Sequence, residues 1–126
     1  MKEQIKQVKE FNKAFGIKDV SPELRYNMIL EELDEYFDSC HESFSYPLRE
    51  KIDKVEQADA IGDMLYLVFG AVIDAGLEDK IEAIFDEIHR SNMSKLENGE
   101  PLYRDDGKVQ KSSTYFPPNI KDILDE

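Results

Sequence analysis

Apolar residues recur three and four residues apart along most of the chain, which is the spacing of one face of an α-helix. The first stripe ends at Gly16, a common helix stop, and consists of Ile5, Val8, Phe11 and Phe15. A second helix is predicted from Ser21-Pro22 to about Cys40, because a hydroxyl N-cap precedes a proline suited to the first helical position. Its predicted inward-facing residues are Leu24, Met28, Leu33 and Phe37.

Two further helices are predicted after a connection at residues 41–46. The third runs from Pro47 to Ala75, and its second half, 58–75, is almost continuously apolar. We therefore expect it to be the central and most buried helix. The fourth begins near Leu77 and ends before Asn98. Its predicted inner stripe consists of Leu77, Ile81, Ile84, Phe85 and Ile88.

Turn signals replace this periodicity after residue 97, and the one strand element that the pattern allows there is a short hairpin around Asp106-Gly107. The pattern predicts one all-α domain over residues 1–126, with a four-helix core at about 2–97 and a loose basic segment at about 98–120. Four short helices leave apolar faces such as Tyr66–Phe69–Val72 partly uncovered. We expect oligomerisation, as a homodimer or homotetramer, to complete the bundle.

The charge distribution narrows the possible partners. A net charge of −12 argues against nucleic-acid binding, which needs a basic face. Residues 21–89 carry 18 acidic and only five basic residues, whereas residues 90–111 include five basic ones. An acidic body followed by a basic segment suits a metal–phosphate ligand. No membrane span and no signal-peptide pattern is visible, so we expect a cytoplasmic protein.

Five carboxylates crowd the apolar second helix in the segment "ILEELDEYFDS", residues 29–39. Glu32 and Glu35 are three residues apart and Glu31 and Glu35 four apart, so they share one helix face. Like charges at this spacing cost roughly 0.2–0.5 kcal/mol per pair on an exposed helix. The cost grows when the face turns inward.

The apolar half of the third helix carries two carboxylates, Asp59 and Asp63, four residues apart. Buried carboxylates are normally paired, protonated or bound to metal, and no basic residue lies between positions 54 and 80. Two acidic helices packed together would form the oxygen cage that Mg²⁺ prefers, and the lack of histidine or cysteine ligands disfavours zinc. Alternatively, the acids of residues 31–34 form a solvated face and Asp63 pairs with a distant basic side chain.

These residues resemble the MazG-like, all-α nucleoside triphosphate pyrophosphatase superfamily, whose hallmark is Glu-Glu-x-x-Glu on one helix and an acidic pair on the next. The first motif is intact at residues 31–35, "EELDE", and the second corresponds to "EQADAIGDMLYLVFG", residues 56–70. The likeness continues through "EIHRSNMSKL" (87–96) and "YRDDGKVQKSSTYFPP" (103–118). This combination resembles the branch with dimeric dUTPase-like enzymes and phosphoribosyl-ATP pyrophosphohydrolase.

The second acidic pair departs from the family's Glu-x-x-Asp. Glu56 and Asp59 have that spacing, but the segment Asp63-x-x-Tyr66-x-x-x-Gly70 is more similar to the stretch that begins at the family's aspartate. We therefore take Asp59 and Asp63 as the pair, with Glu56 in a supporting position. The resemblance thus implies a metal-ligand set of Glu31, Glu32, Glu35, Asp59 and Asp63.

The resemblance also implies the chemistry. Members of the superfamily hydrolyse the α–β phosphoanhydride of a nucleotide to a monophosphate and pyrophosphate, with Mg²⁺ as cofactor and Mn²⁺ as a possible substitute. A metal-bound water is activated and a carboxylate accepts its proton. Glu31 or Glu32 is the candidate proton acceptor. The residues expected to bind the substrate are Asn92, Lys95, Arg104, Lys108 and Tyr115.

Three functions are compatible with these sequence features. The favoured one is a Mg²⁺-dependent nucleoside triphosphate pyrophosphohydrolase in nucleotide-pool housekeeping. The second is a phosphoribosyl-ATP diphosphatase, which the intact double-glutamate motif fits equally well, although the "YRDDGK…YFPP" tail favours the dUTPase-like branch. The third is a non-catalytic helical module whose acidic face binds a basic protein, with the C-terminal bases as a solvated tail. Pyrophosphate release with divalent metal separates the enzymes from the module.

Overall fold

A computed structural model describes residues 1–40 and 53–126. Within these ranges the protein is all-helical, which confirms the predicted fold class. The helices are α1 (Lys2–Ala14), α2 (Pro22–Cys40), α3 (Lys54–Asp74), α4 (Ile81–Met93) and α5 (Ile120–Asp125). They form two units, residues 1–78 and residues 79–126. None of the described helices has the length and apolar character that a bilayer span requires.

The first two helices confirm the terminus signals in the sequence. Gly16 follows α1 with φ of +63°, the left-handed conformation that favours glycine. Ser21 caps α2, because its hydroxyl accepts a hydrogen bond from the Leu24 amide at 3.1 Å. Pro22 occupies the first helical position, where its missing amide hydrogen costs nothing.

Helix α3 begins later than predicted. The described helix starts at Lys54, because Asp53 is extended and its carboxylate accepts a hydrogen bond from the Glu56 amide at 3.0 Å. The proposed start at Pro47 and the connection at 41–46 lie outside the described residues. The C-terminal end agrees with the prediction, since α3 ends at Asp74 and Gly76 follows with φ of +67°.

Helix α3 is central in the first unit, as predicted, because both α1 and α2 pack against it. It is nevertheless not buried all round: the apolar side chains exposed along it include Ile61, Leu65 and Val68. The face at Tyr66–Phe69–Val72, which was expected to be partly uncovered, is more covered than predicted. Val72 is buried, and Tyr66 packs edge-on against Phe11, with ring centroids 5.7 Å apart.

The predicted inner face of α2 is wrong at two positions, since Leu24 and Leu33 are 51% and 50% exposed. The face that meets α3 instead carries polar residues at intervals of seven positions, namely Arg25, Glu32 and Ser39. Arg25 bonds to Asp74 of α3, and the carbonyl of the buried Ser39 accepts from the Asp53 amide. Residues next to this line point about 100° away from it, so the leucines turn outward.

The second unit differs from its prediction in two ways. Helix α4 begins at Ile81, and Ile84 of its predicted inner stripe is buried while Phe85 and Ile88 are exposed. The segment after α4 is not loose, because α5 packs on α4. An antiparallel bridge between Tyr103 and Val109 bears out the short hairpin around Asp106-Gly107.

Candidate metal centre

The facing surfaces of α2 and α3 bring acids from both helices together. The two helices run antiparallel, since Arg25 near the start of α2 bonds to Asp74 at the end of α3, whereas Cys40 at the end of α2 contacts Gln57 near the start of α3. Close to the Cys40–Gln57 contact lies a cavity of about 310 Å³, which among the described residues is lined by four acids: Glu35, Asp38, Glu56 and Asp59.

We call the space between the facing surfaces of α2 and α3 the groove. Three carboxylates form the closest cluster in this groove. One oxygen atom each of Glu32, Glu35 and Asp63 lies within 4.8 Å of the others. Glu32 is half-buried, while Glu35 and Asp63 reach solvent. A set made only of carboxylate oxygens, accessible from one side, is what a hard divalent cation takes.

Glu32 is the side chain that most needs a partner. Its Oε2 atom is buried and accepts no hydrogen bond from the described residues. Burial raises the pKa of Glu32 to about 7, and a hydrogen bond to Glu35 and the charges of Glu35, Asp63 and Asp59 act in the same direction. A bound cation would satisfy the orphaned oxygen and offset this repulsion, so the residues present fit a divalent metal.

Asp63 shows the same unfavourable environment. Burial raises its pKa, and the charges of Asp59 and Glu35 raise it further. The alternative prediction, in which a distant basic side chain neutralises Asp63, finds no support among the described residues. The basic residue that α2 directs at α3 is Arg25, and it bonds to Asp74 instead, three helical turns further along.

The predicted ligands therefore separate into groups. Glu32, Glu35 and Asp63 cluster directly, and Asp59 lines the adjoining cavity. Glu56 lines the same cavity, consistent with a supporting position. Glu31 is exposed and belongs to neither group. Asp38 was not among the predicted metal ligands. It lines the cavity because it follows Glu35 by three residues on the same helix face.

The predicted substrate-binding residues lie in the second unit. Asn92 is exposed near the end of α4, and Lys95 is half-buried just beyond it. The guanidinium of Arg104 is held by the Asp106 carboxylate, and the Lys108 amide donates to the same carboxylate at 3.1 Å. Arg104 is thus already paired, which leaves Lys95 the better candidate for a phosphate.

Tyr115, the last predicted substrate contact, belongs to a segment that is fastened to α4. The Lys111 ammonium lies over the ring of Tyr115, with its Nζ atom 4.8 Å from the ring centroid. Ser91, buried in α4, donates to the Phe116 carbonyl at 2.8 Å, and Ser112 donates to the Ser94 carbonyl at 2.6 Å. Sequence analysis missed this fastening because isolated serines carry no periodic signal.

Comparison with known proteins places these acids in a family context. The family model described as phosphoribosyl-ATP pyrophosphohydrolase matches residues 1–92. The match covers every predicted metal ligand and ends before Lys95 and the C-terminal segment. No curated protein matches the sequence.

Proposed function

The chain belongs to the phosphoribosyl-ATP pyrophosphohydrolase family of the MazG-like superfamily, and we propose that it is a Mg²⁺-dependent enzyme that cleaves the α–β phosphoanhydride of a (deoxy)nucleoside triphosphate. The observation that carries this proposal is the cluster of Glu32, Glu35 and Asp63, whose carboxylates face one another with one oxygen orphaned. Such an arrangement costs stability unless a cation occupies it.

We assign the acids of the groove two roles, metal binding and proton acceptance. Glu35, Asp59 and Asp63 would hold Mg²⁺ together with Glu32, and Mn²⁺ would substitute. When bound, the cation lowers the pKa of a water molecule and offsets the charge of phosphate oxygens. Glu32, which lies in the cluster, is our first choice as proton acceptor, and Glu31 is the alternative.

The basic residues of the second unit would bind the triphosphate. Lys95 has an ammonium with no ion pair among the described residues, and Asn92 lies three positions before it, in the last turn of α4. A lysine provides a strong charge-assisted hydrogen bond to phosphate. Lys108 and Tyr115 would add contacts, and Arg104 would have to leave Asp106 to do so.

The second candidate substrate is phosphoribosyl-ATP, and the family match over residues 1–92 favours it. The tail beyond residue 92, which resembles that of dUTPase-like enzymes, favours a simple nucleotide. Both substrates carry the same triphosphate, so the acidic groove serves either one. A non-catalytic acidic module would need no orphaned carboxylate in a groove.

A pyrophosphate-release screen tests the proposal. Purified protein stripped of metal is incubated with ribo- and deoxynucleoside triphosphates and with phosphoribosyl-ATP, with and without Mg²⁺ or Mn²⁺. We expect pyrophosphate and a monophosphate to appear only with the divalent cation. Turnover of phosphoribosyl-ATP alone would establish the second candidate, and no turnover of any substrate with either metal would contradict both.

We also propose that a second copy of the chain covers apolar stripes on α2 and α3. On α2, spacings of four, three and four residues connect Tyr26, Leu30, Leu33 and Phe37. Tyr26 is 63% exposed, and on α3 Leu65 is 53% exposed. Such spacing is typical of helix–helix seams, and two copies with facing stripes would complete a four-helix bundle.

Analytical ultracentrifugation tests this assembly. The parent protein should sediment as a homodimer, or as a tetramer if further faces associate. Leu33→Glu places a charge in the seam and should shift the protein toward the monomer, whereas Asp34→Glu, one position away on the same helix, should not. A monomeric parent at micromolar concentration would contradict the proposal.

A further inference from the structure

Arg25 and Asp74 form a two-pronged link between α2 and α3. The Nε atom of Arg25 donates to Asp74 Oδ2 at 2.7 Å, and its Nη2 atom donates to Oδ1 at 3.2 Å. The two side chains are only 11% and 22% exposed. A bidentate pair of this kind fixes orientation as well as distance, because the planar guanidinium fits the carboxylate in one geometry.

Gly70 makes room for this link. A Cβ atom built on Gly70 would lie 2.7 Å from Cζ of Arg25 and 2.9 Å from its Nη2, well inside van der Waals contact. The guanidinium therefore rests directly on the α3 backbone, at a place where any side chain would push it away. Gly70 lies within the helix, so its presence follows from this close approach rather than from a turn.

The link is in register with the acidic cluster on both helices. Seven positions separate Arg25 from Glu32 on α2, and seven separate Asp63 from Gly70 on α3. Seven residues are about two turns, or roughly 10 Å, so each pair shares one helix face. The link and the cluster thus lie along the same helix–helix seam, at matching distances.

We propose that Arg25, Asp74 and Gly70 form a positioning clamp that holds α2 and α3 at the separation and register at which the acidic cluster binds its metal. The inference rests on the proposed metal-dependent function. Glu32, Glu35, Asp59 and Asp63 repel one another across the seam, so a nearby attachment is needed to keep them at ligand distance. Fixing register is the best-attested role of buried charged pairs, whose net contribution to stability is small.

Arg25 acts through the ligands rather than on the substrate. Its Nε and Nη2 atoms are bonded to Asp74, and little of its side chain reaches solvent. Simple electrostatics predicts the opposite consequence of removing it. Loss of a positive charge about 10 Å from the acids would strengthen binding of a divalent cation, whereas loss of a clamp would weaken it. The sign of the change therefore separates the two explanations.

Calorimetric titration of metal-free protein with Mg²⁺ provides the test. Arg25→Ala and Gly70→Ala should each weaken Mg²⁺ binding about 10-fold, the lower end of the range for residues that orient metal ligands. Gly70→Ala changes no charge, so its effect would be purely geometric. The matched control is Arg90→Ala, which removes an arginine with the same bidentate distances, 2.7 and 3.2 Å to Glu87, within one helix. It should leave Mg²⁺ affinity within about twofold.

A double variant guards against a general folding defect. In the Arg25→Ala background, Gly70→Ala has no guanidinium to displace, so it should not weaken Mg²⁺ binding further and should raise the melting temperature, since alanine favours helix over glycine. Additive losses would mean that the two residues act separately and would overturn the clamp. Unchanged or tighter Mg²⁺ binding by Arg25→Ala and Gly70→Ala would overturn it too. A parent protein that binds no Mg²⁺ would instead refute the proposed function.

Discussion

The pKa values of carboxylates shift in opposite directions in the α2–α3 groove and in the C-terminal unit, residues 79–126. In the groove, burial and neighbouring acids raise the pKa of Glu32 and of Asp63. In the C-terminal unit, hydrogen bonds from Arg90 lower the pKa of Glu87, and those from Ser113 lower the pKa of Glu97. Asp106 behaves like these two, because Arg104 lowers its pKa.

The difference teaches which acids serve the fold. An acid whose pKa is lowered in the folded state favours folding when it is ionised, whereas one whose pKa is raised opposes folding when ionised. The C-terminal acids therefore stabilise the folded unit: Glu87 of α4 also accepts from the Asn119 amide, and Glu97 accepts from Ser113. The groove acids weaken the metal-free fold, and strained groups of this kind mark functional sites. Opposite shifts within one chain thus separate structural from functional carboxylates.

The largest effect is expected when a groove acid is replaced by its uncharged amide, which tests whether these acids bind metal. Glu35→Gln and Asp63→Asn should each lower Mg²⁺-dependent turnover by more than about 100-fold, beyond the loss typical of residues that merely support ligands. The metal-free protein should melt at the same or a higher temperature, because one of several crowded charges is gone. Asp34→Asn, which removes an exposed acid of α2, is the control. Unchanged Mg²⁺ affinity in both variants, measured by calorimetry, would refute the site.

A second test concerns Lys95, a cation of the C-terminal unit that has no ion pair among the described residues. Lys95→Ala should lower kcat/KM roughly 10- to 150-fold, the effect of losing a charge-assisted hydrogen bond of about 1.5–3 kcal/mol. Mg²⁺ affinity should stay within about twofold, since the acids lie on other helices. Lys121→Ala, which removes a lysine paired with Asp125, controls for charge. Parent-like kinetics would make the C-terminal segment purely structural.

The same contrast predicts how stability varies with pH. The folded protein keeps the Glu32 proton up to about pH 7, whereas the unfolded chain releases it near pH 4.5. The folded state therefore binds more protons between these values, so stability falls as pH rises from about 4.5 to 7. In metal-free protein the melting temperature should drop by roughly 5 °C over this range.

Glu32→Gln is the variant that isolates this effect. It should make the dependence between pH 5 and 7 shallower rather than flat, because Asp63 keeps a raised pKa in the groove, and saturating Mg²⁺ should also make it shallower in the parent. The acids with lowered pKa values lose their contribution to stability only as the pH falls through their folded-state pKa. That loss occurs below this pH range, so it does not affect the slope that Glu32 causes. A melting temperature that rises across this range in the parent and in Glu32→Gln alike would contradict the assignment.

The groove also shows where sequence reasoning succeeds and fails. The pattern predicted the four main helices, the N-cap of α2 and the glycines that follow α1 and α3. It also predicted acids that meet, because spacing on a helix determines which side chains share a face. It failed for Leu24 and Leu33, since it assumes that the inner face is apolar. Here the inner face of α2 carries Arg25, Glu32 and Ser39, seven residues apart. A polar inner line of this kind indicates function, and it becomes recognisable once the partner helix is known.

The C-terminal segment was harder to predict for a different reason. Its attachment depends on hydroxyl-to-backbone bonds such as those of Ser91 and Ser112, which single residues make without any repeat. Helix α5 has six residues, too few to establish a period. Its one local signal is Asn119, whose side chain caps the helix by accepting from the Asp122 amide.

The smallest expected effect sharpens the comparison at a single C-terminal acid. The hydroxyl and amide of Ser113 both donate to the Glu97 carboxylate at 2.6 Å. Ser113→Ala removes the hydroxyl bond, so the pKa of Glu97 should rise toward its ordinary value of 4.5, as followed by carbon NMR during a pH titration. Thr114→Val, which removes the neighbouring hydroxyl bonded to the Leu96 carbonyl instead, should leave it unchanged. Mg²⁺ affinity should not move in either variant, because Glu97 belongs to the acids that hold the fold. A loss of Mg²⁺ binding in Ser113→Ala would mean that structural and functional acids are not separate.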